Sequence, residues 1–408
     1  MVQTRSALKR KATVMPQHRP APMDPTSQTG FAKRAKERDF YKSYGFDFIV
    51  RRPDYSKLLG GVSRRIREGG GPEWGFDVKD LKSFYWQMAN LAAAWADQYL
   101  ITDVGDLPES EIRRLISAAN GFCVQMDWEE LRTLLPPTAA STFGHILGEL
   151  LIQLDIHERL FQNPFWYMDG KIGPDDQSED PHFGRKLQYL FDRLYQTNPT
   201  YSVLWRMQTQ RLCNSTDHFT ARDPQFGQYN AQRHEAAVAS FADSLLTSEP
   251  FCFLLKDEYP SSSPQLDEDR RCLLIDVFRN AIRCLIRCET WTNGQPVLRG
   301  ITELGGIFHE ESKTITLHPF CFRPRMDLYT GKDILVVAQP GLVYVDSCHG
   351  DNSGVMTEII EAEVLPAFRL AEGEGKQMEE EAAEDAEDAE IAKKQDHGDE
   401  EWTEEQGE

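Results

Sequence analysis

No apolar run of about eighteen residues, the length that crosses a bilayer, occurs anywhere in the 408 residues. Even the apolar stretch 146–156 is interrupted by Glu149 and Asp155, so a membrane-spanning chain is excluded. The eight cysteines, at 123, 213, 252, 272, 284, 288, 321 and 348, contain no CxxC pair and follow no cleavable apolar leader. Paired short spacings announce structural zinc, and a leader announces an oxidising compartment; without either, reduced and mostly buried thiols in the cytosol or nucleus are expected. Asn214-Ser215-Thr216 then matches a glycosylation acceptor by letter only. Gly60-Gly61, Gly69-Gly70-Gly71-Pro72 and Gly305-Gly306 lack the Gly-Lys-Ser/Thr continuation and the strand-turn-helix setting of a phosphate cradle. No repeat of fixed period marks a solenoid.

What is present is charge, unevenly distributed. Residues 1–42 carry ten Lys/Arg against three Asp/Glu, a net +7. Residues 372–408 carry seventeen Asp/Glu against three Lys, a net −14. With the whole chain at −20, residues 43–371 hold −13 of their own. An acidic core is a poor surface for nucleic acid and a good one for basic proteins. The arm has no apolar periodicity before Phe40 and cannot offset its ordering entropy, so residues 1–42 are expected to be a disordered basic arm. Within it Lys9-Arg10-Lys11 and Lys33-Arg34-Ala35-Lys36 are compact basic clusters on an extended chain, the form that an acidic nuclear-import receptor groove takes. The tail 372–408, with Glu379-Glu380-Glu381 and an Ala/Glu/Asp run, repels itself and is expected to be disordered. It serves as an entropic tail, as an acidic strip for basic partners, or as a lid over the basic arm.

The expected core, residues 43–371, is large enough to fold without metal or disulfides. After Asp77, the apolar positions Leu81, Phe84, Tyr85, Met88, Leu91, Ala92, Trp95 and Tyr99 recur at helical spacing. Helices are expected also at 110–119, 127–135, 141–161, 183–195, 201–213, 231–246 and 267–288. Residues 43–290 therefore read as helical and residues 291–371 as mixed, with strands at 313–317 and a hairpin of 334–338 and 342–345 about Gln339-Pro340-Gly341. A last helix is expected at 355–370. The fold class is mainly α: an irregular helical array with a small antiparallel β element near the C-terminal end of the core, flanked by disordered tails.

Candidate chemistry is sparse. Cys272, Cys284 and Cys288 are able to share a helix face, but their apolar neighbours favour a core role. His318 and Cys321 have a zinc-like spacing without a second pair. Cys348, His349 and Asp346 contain the letters of a nucleophile, base and orienter, though a base must reach the sulfur across a cleft rather than along the chain. No catalytic, cofactor or metal residue is assigned. Phe165-Trp166-Tyr167 reads first as a chain reversal pinned by buried rings, and second as a partner-contact anchor, since Trp and Tyr are favoured in such anchors.

Through residues 161–167 and again 333–342, with Val336-Val337-Ala338-Gln339-Pro340-Gly341, the chain resembles uncharacterised proteins of filamentous fungi. The resemblance attaches no activity; it implies a lineage-restricted interaction or regulatory protein.

The expected function is thus a non-enzymatic, nuclear protein-interaction or regulatory protein whose partners are basic proteins and an import receptor. One alternative is a histone-chaperone-like binder acting through the acidic tail. The other is an enzyme of unknown class using Cys348, His349 and Asp346. Replacing Lys9, Arg10, Lys11, Lys33, Arg34 and Lys36 by alanine in a fluorescently tagged chain should move it from nucleus to cytoplasm. An unchanged distribution contradicts the import reading.

Overall fold

The computed structural model describes residues 78–171, 175–218, 221–256, 264–291, 294–321, 323–346 and 355–368. The arm 1–42 with its two basic clusters, the tail 372–408, Asp77, Cys348 and His349 lie outside these residues.

Helix α1 (Val78–Tyr99) buries Leu81, Tyr85, Met88, Ala92, Trp95 and Tyr99 along one side and leaves Trp86 exposed on the other, as three-and-four spacing requires. It packs against α5 (Phe143–Ile156) and the long α9 (Pro264–Trp291). Between α1 and α5 come the short helices α2 (Glu109–Ala118), α3 (Trp128–Leu134) and α4 (Pro137–Ser141). Pro137 starts α4, because the first helical position needs no N–H. At Gly144 a Cβ would lie 2.2 Å from the Ile101 carbonyl oxygen, so the absence of a side chain lets the segment after α1 cross α5 closely. Helices α6 (Phe183–Thr197) and α7 (Pro199–Cys213) pack together. Asn198 between them caps α7 by accepting the Tyr201 amide at 3.1 Å. Helix α8 (Gln225–Thr247) then lies along α9.

The strands after α9 form two three-stranded sheets. In the first, β1 (Gly294–Arg299), β4 (Gly341–Asp346) and β5 (Val355–Ile360) run antiparallel in the order β1-β4-β5. In the second, β6 (Ala362–Pro366) lies between β2 (Ile315–Leu317) and β3 (Ile334–Gln339), parallel to β2 and antiparallel to β3. Residues 334–338 are all buried, and β3 faces α5, which explains a continuous apolar run in place of alternation. The edge of β3 is covered by the loop after α2, where Val337 N donates to Phe122 O at 2.7 Å and Val124 N to Leu335 O at 2.9 Å.

Two sequence expectations are corrected here. Strands 334–338 and 342–345 exist, but they do not pair as a hairpin: β3 joins β6 and β4 joins β1 and β5, so Pro340 carries the chain from one sheet to the other. The helix expected at 355–370 is instead β5 and β6. Pro366 would interrupt a helix there, and burial of Ile360, Ala362 and Val364 with exposure of Glu361 follows a period of two. The cysteines divide as well. Cys123, Cys213, Cys284, Cys288 and Cys321 are buried, but Cys272 is exposed. Twelve residues advance the helix by about 120° past whole turns, which takes Cys272 off the face of Cys284. No helix among the described residues is long and apolar enough to cross a membrane.

Half-buried Glu149 stands in the mostly apolar α5, and its Oε1 accepts a hydrogen bond from Gln153 at 3.0 Å. Burial, reinforced by the negative charge of Glu363 and opposed by Gln153, pushes its carboxyl up to about 8. His157 and His234 move the other way: burial lowers both from 6.5 to about 4. The two histidines contribute stability above pH 6.5 and lose it as pH falls towards 4. Glu149 contributes below its unfolded value of 4.5 and loses the contribution as pH rises through about 8. Between pH 6.5 and 8, of these three groups, Glu149 alone titrates. Urea unfolding across that window should show stability falling with pH in the native chain and a flatter profile in Glu149→Gln. Parallel profiles would remove Glu149 as the source.

Candidate functional site

At Ile156 the α-helical hydrogen bonding of α5 gives way to one π-turn, His157–Phe161. Such widened turns are frequent at functional sites because they redirect side chains. Here the turn carries Arg159. Its Nε lies 2.7 Å from both carboxylate oxygens of Asp155, its Nη2 donates to Ser244 Oγ at 3.2 Å, and its guanidinium lies 5.7 Å from the centre of the Phe241 ring.

Asn163-Pro164 then reverses the chain, with Trp166 N donating to Asn163 O and Met168 N to Phe165 O, both at 3.0 Å. The three expected anchor residues diverge from this turn. Phe165 is 0% exposed and packs with Phe191 of α6 and Val203 of α7 in a second, smaller core, which leaves it no surface for a partner. Gly184 permits that approach, since a Cβ there would sit 2.6 Å from the Phe165 carbonyl oxygen. Tyr167, 3% exposed, points its hydroxyl at α7. It donates to Gln210 Oε1 at 2.8 Å and accepts from Asn214 Nδ2 at 3.1 Å, while Gln210 Nε2 donates to Pro164 O at 2.8 Å. Trp166 is half-buried. Its ring meets Phe241 edge-on at 5.2 Å, Tyr167 at 5.5 Å and the imidazole of His234 at 5.4 Å.

Helix α8 supplies the facing wall. Arg233 Nε donates to Tyr167 O at 2.7 Å, and its Nη1 reaches Glu179 at 2.6 Å and Asp169 at 3.8 Å. Tyr229 donates to Asp169 Oδ2 at 2.5 Å, and Lys171 Nζ lies 3.0 Å from the Tyr229 hydroxyl. Burial alone would raise Asp169, but the Tyr229 hydroxyl, the Lys171 amide and the charges of Arg233 and Lys171 hold it below the usual carboxylate range. A cleft of about 320 Å³ results, lined by Arg159, Trp166, Tyr167, Arg233, Ala237 and Phe241. Trp166 Nε1 and His234 Nε2 are buried without a hydrogen-bond partner among the described residues. Burial keeps His234 neutral at pH 7, with its pKa brought down to about 4. The cleft therefore combines rings in edge-on and tilted contact with guanidiniums already balanced by carboxylates. Such a surface binds an apolar or aromatic anchor and offers nothing that needs a bare ion.

A larger groove of about 560 Å³ lies between α3 and α4, against Arg132, Leu135, Pro137 and Phe368; Phe368 is its one aromatic ring. The other sequence candidates are separate from the cleft. His318 is buried, accepts the Phe320 amide at 3.3 Å on Nδ1 and meets the Phe320 ring at 4.8 Å. Cys321 is buried with its Sγ 4.0 Å from Val364 O. Both belong to the turn after β2. Asp346 closes β4, while Cys348 and His349 lie outside the described residues. Among the described residues no three His, Cys, Asp or Glu side chains are grouped to hold a metal ion.

Sequence reasoning marked Trp166 and Tyr167 but missed Arg159, Arg233, His234 and Phe241. These arrive from α8 and from one π-turn, and no local spacing links α8 to residues 165–167. No family model, no curated protein and no solved structure matches this chain.

Proposed function

We propose that the chain is a non-enzymatic protein-interaction protein acting in the nucleus, and that the Trp166 cleft receives a side-chain anchor from its partner. The convergence of Trp166, Tyr167 and Phe241 with Arg159 and Arg233 carries this reading. Trp, Tyr and Arg dominate the energetics of protein interfaces, most of all where the surrounding residues exclude water. Because Arg159 is balanced by Asp155 and Arg233 by Glu179, the anchor is apolar or aromatic. The excess negative charge of the chain steers basic partner segments towards it. In this reading the clusters Lys9-Arg10-Lys11 and Lys33-Arg34-Lys36 serve import, and the acidic tail adds a contact strip for the same basic partners.

The cleft is tested by selecting binders for the full-length chain from a random peptide display library. Selected peptides should share an aromatic or aliphatic anchor flanked by Lys or Arg. Trp166→Ala should weaken them by about 2 kcal/mol, the range of an interface hot spot, or roughly thirty-fold in Kd. Peptides that bind Trp166→Ala and the native chain equally would place the interaction elsewhere.

A further inference from the structure

Helix α6 shows an unusual outer face for so acidic a protein. Its inner side, Leu187, Phe191 and Tyr195, packs into the small core beside Phe165. Outwards it leaves Tyr189, Leu190 and Leu194 exposed at 66%, 44% and 37%, and Tyr201 at the start of α7 is 41% exposed. These four are among the largest exposed apolar side chains of the described residues. A four-residue step keeps side chains in one row of a helix. Arg185, Tyr189 and Arg193 therefore form one row, and Lys186, Leu190 and Leu194 the next. Arg185, Lys186 and Arg193 are exposed, against Asp192, which accepts from Gln188, and Asp180, which contacts Lys186 at 2.5 Å. An apolar pair is thus bracketed by cations one turn before it and one turn after it. Exposed apolar surface of this kind marks an interaction site.

The chain contains a segment of the inverse pattern. Asp399-Glu400-Glu401-Trp402-Thr403-Glu404-Glu405 places one aromatic ring between two acidic clusters. It is the only Trp in the stretch 372–408. Thirty-three residues lie between it and Phe368, the last described residue. A chain of that length spans roughly 30 Å as a random coil and about 110 Å at full extension, enough to bring it to α6. Tethering also gives an effective concentration in the millimolar range, so contacts too weak to hold a free peptide hold this one.

We propose that residues 399–405 of this chain dock on the outer face of its own α6, with Trp402 on Tyr189 and Leu190 and the flanking carboxylates against Arg185, Lys186 and Arg193. The docking is independent of what the Trp166 cleft binds. Because α6 packs on Phe165, next to Trp166, a tail held here lies near that cleft. A basic partner competes with Arg185, Lys186 and Arg193 for the tail and releases it.

Zero-length carbodiimide cross-linking of the full-length chain tests the proposal, since it joins a lysine amine to a carboxylate only in direct contact. An equal mixture of unlabelled and nitrogen-15-labelled chains separates contacts within one chain from contacts between copies. Lys186 should be joined to a carboxylate of residues 399–405 in peptides of a single isotope. That product should fall several-fold in Trp402→Ala, in Arg185→Glu with Arg193→Glu, and in high salt. The Lys186–Asp180 product, which needs no tail, should persist in Trp402→Ala and shows that Lys186 still reacts on a folded surface. Three results would overturn the proposal: no Lys186–tail product beside a normal Lys186–Asp180 product, a product of mixed isotope, which assigns the face to a second copy, or a tail joined instead to Lys9 and Lys11.

Discussion

Arg206 and Glu289 face each other at 2.8 Å with 3% and 1% of their side chains exposed, and the arrangement around the cleft depends on this ion pair. Two charges removed from water are tolerated only when each compensates the other, so the pair fixes α7 against the last turns of α9. Burial raises the Glu289 carboxyl, and Arg206 draws it back down. The other face of the Arg206 guanidinium lies 4.6 Å from the ring centre of Phe191, which brings α6 into the same junction. One helical turn along α7, Gln210 holds Tyr167 and the carbonyl of Pro164, and Asn214, just past the helix end, also holds Tyr167, while Arg211 Nε donates to Thr290 O at 2.7 Å. The loop that presents Trp166 is therefore set by a buried polar spine and not by apolar packing alone. Such a spine is specific because an unpaired member is costly, which penalises every alternative register of α7.

Most helices of the first two-thirds were readable because they show an apolar face at helical spacing: α1 buries six of its eight expected positions and half-buries Phe84 and Leu91, whereas the five-residue α4 is too short to show a period. The strands 315–317, 334–339 and 341–346 were readable from β-branched runs. Their pairing was not, because partner choice is decided by residues far apart in sequence, such as Val337 with Val364. The helix expected at 355–370 fails on Pro366 and on the two-residue burial period from Ile360 to Val364. Helix α7 shows a deeper limit: Arg206, Gln210 and Arg211 are buried, and a sequence places such residues at the surface by default. Partners distant in sequence, among them Glu289, Tyr167 and Thr290, account for them.

The candidate site was half legible for the same reason. The aromatic triplet was visible as composition, but its division into a core residue, a hydrogen-bonded residue and a half-exposed one follows from the turn after the π-segment and from α7 behind it. The charge layout was visible at once, and it gains meaning from α6, whose outward Arg185, Lys186 and Arg193 form a basic surface on a core that is acidic in sum. The ring-walled cleft lies beside that helix, because Phe165 of the same turn packs on Phe191 of α6.

The most direct test of the buried pair is a double-mutant cycle on Arg206 and Glu289, read as the free energy of urea unfolding. Arg206→Met and Glu289→Met should each destabilise the chain by about 3–5 kcal/mol, because each leaves an uncompensated buried charge. The double variant, with neither charge present, should regain most of that loss. Single variants that cost no more than about 0.5 kcal/mol, as surface substitutions do, or a double variant as unstable as the two losses added together, would contradict the role assigned to the pair.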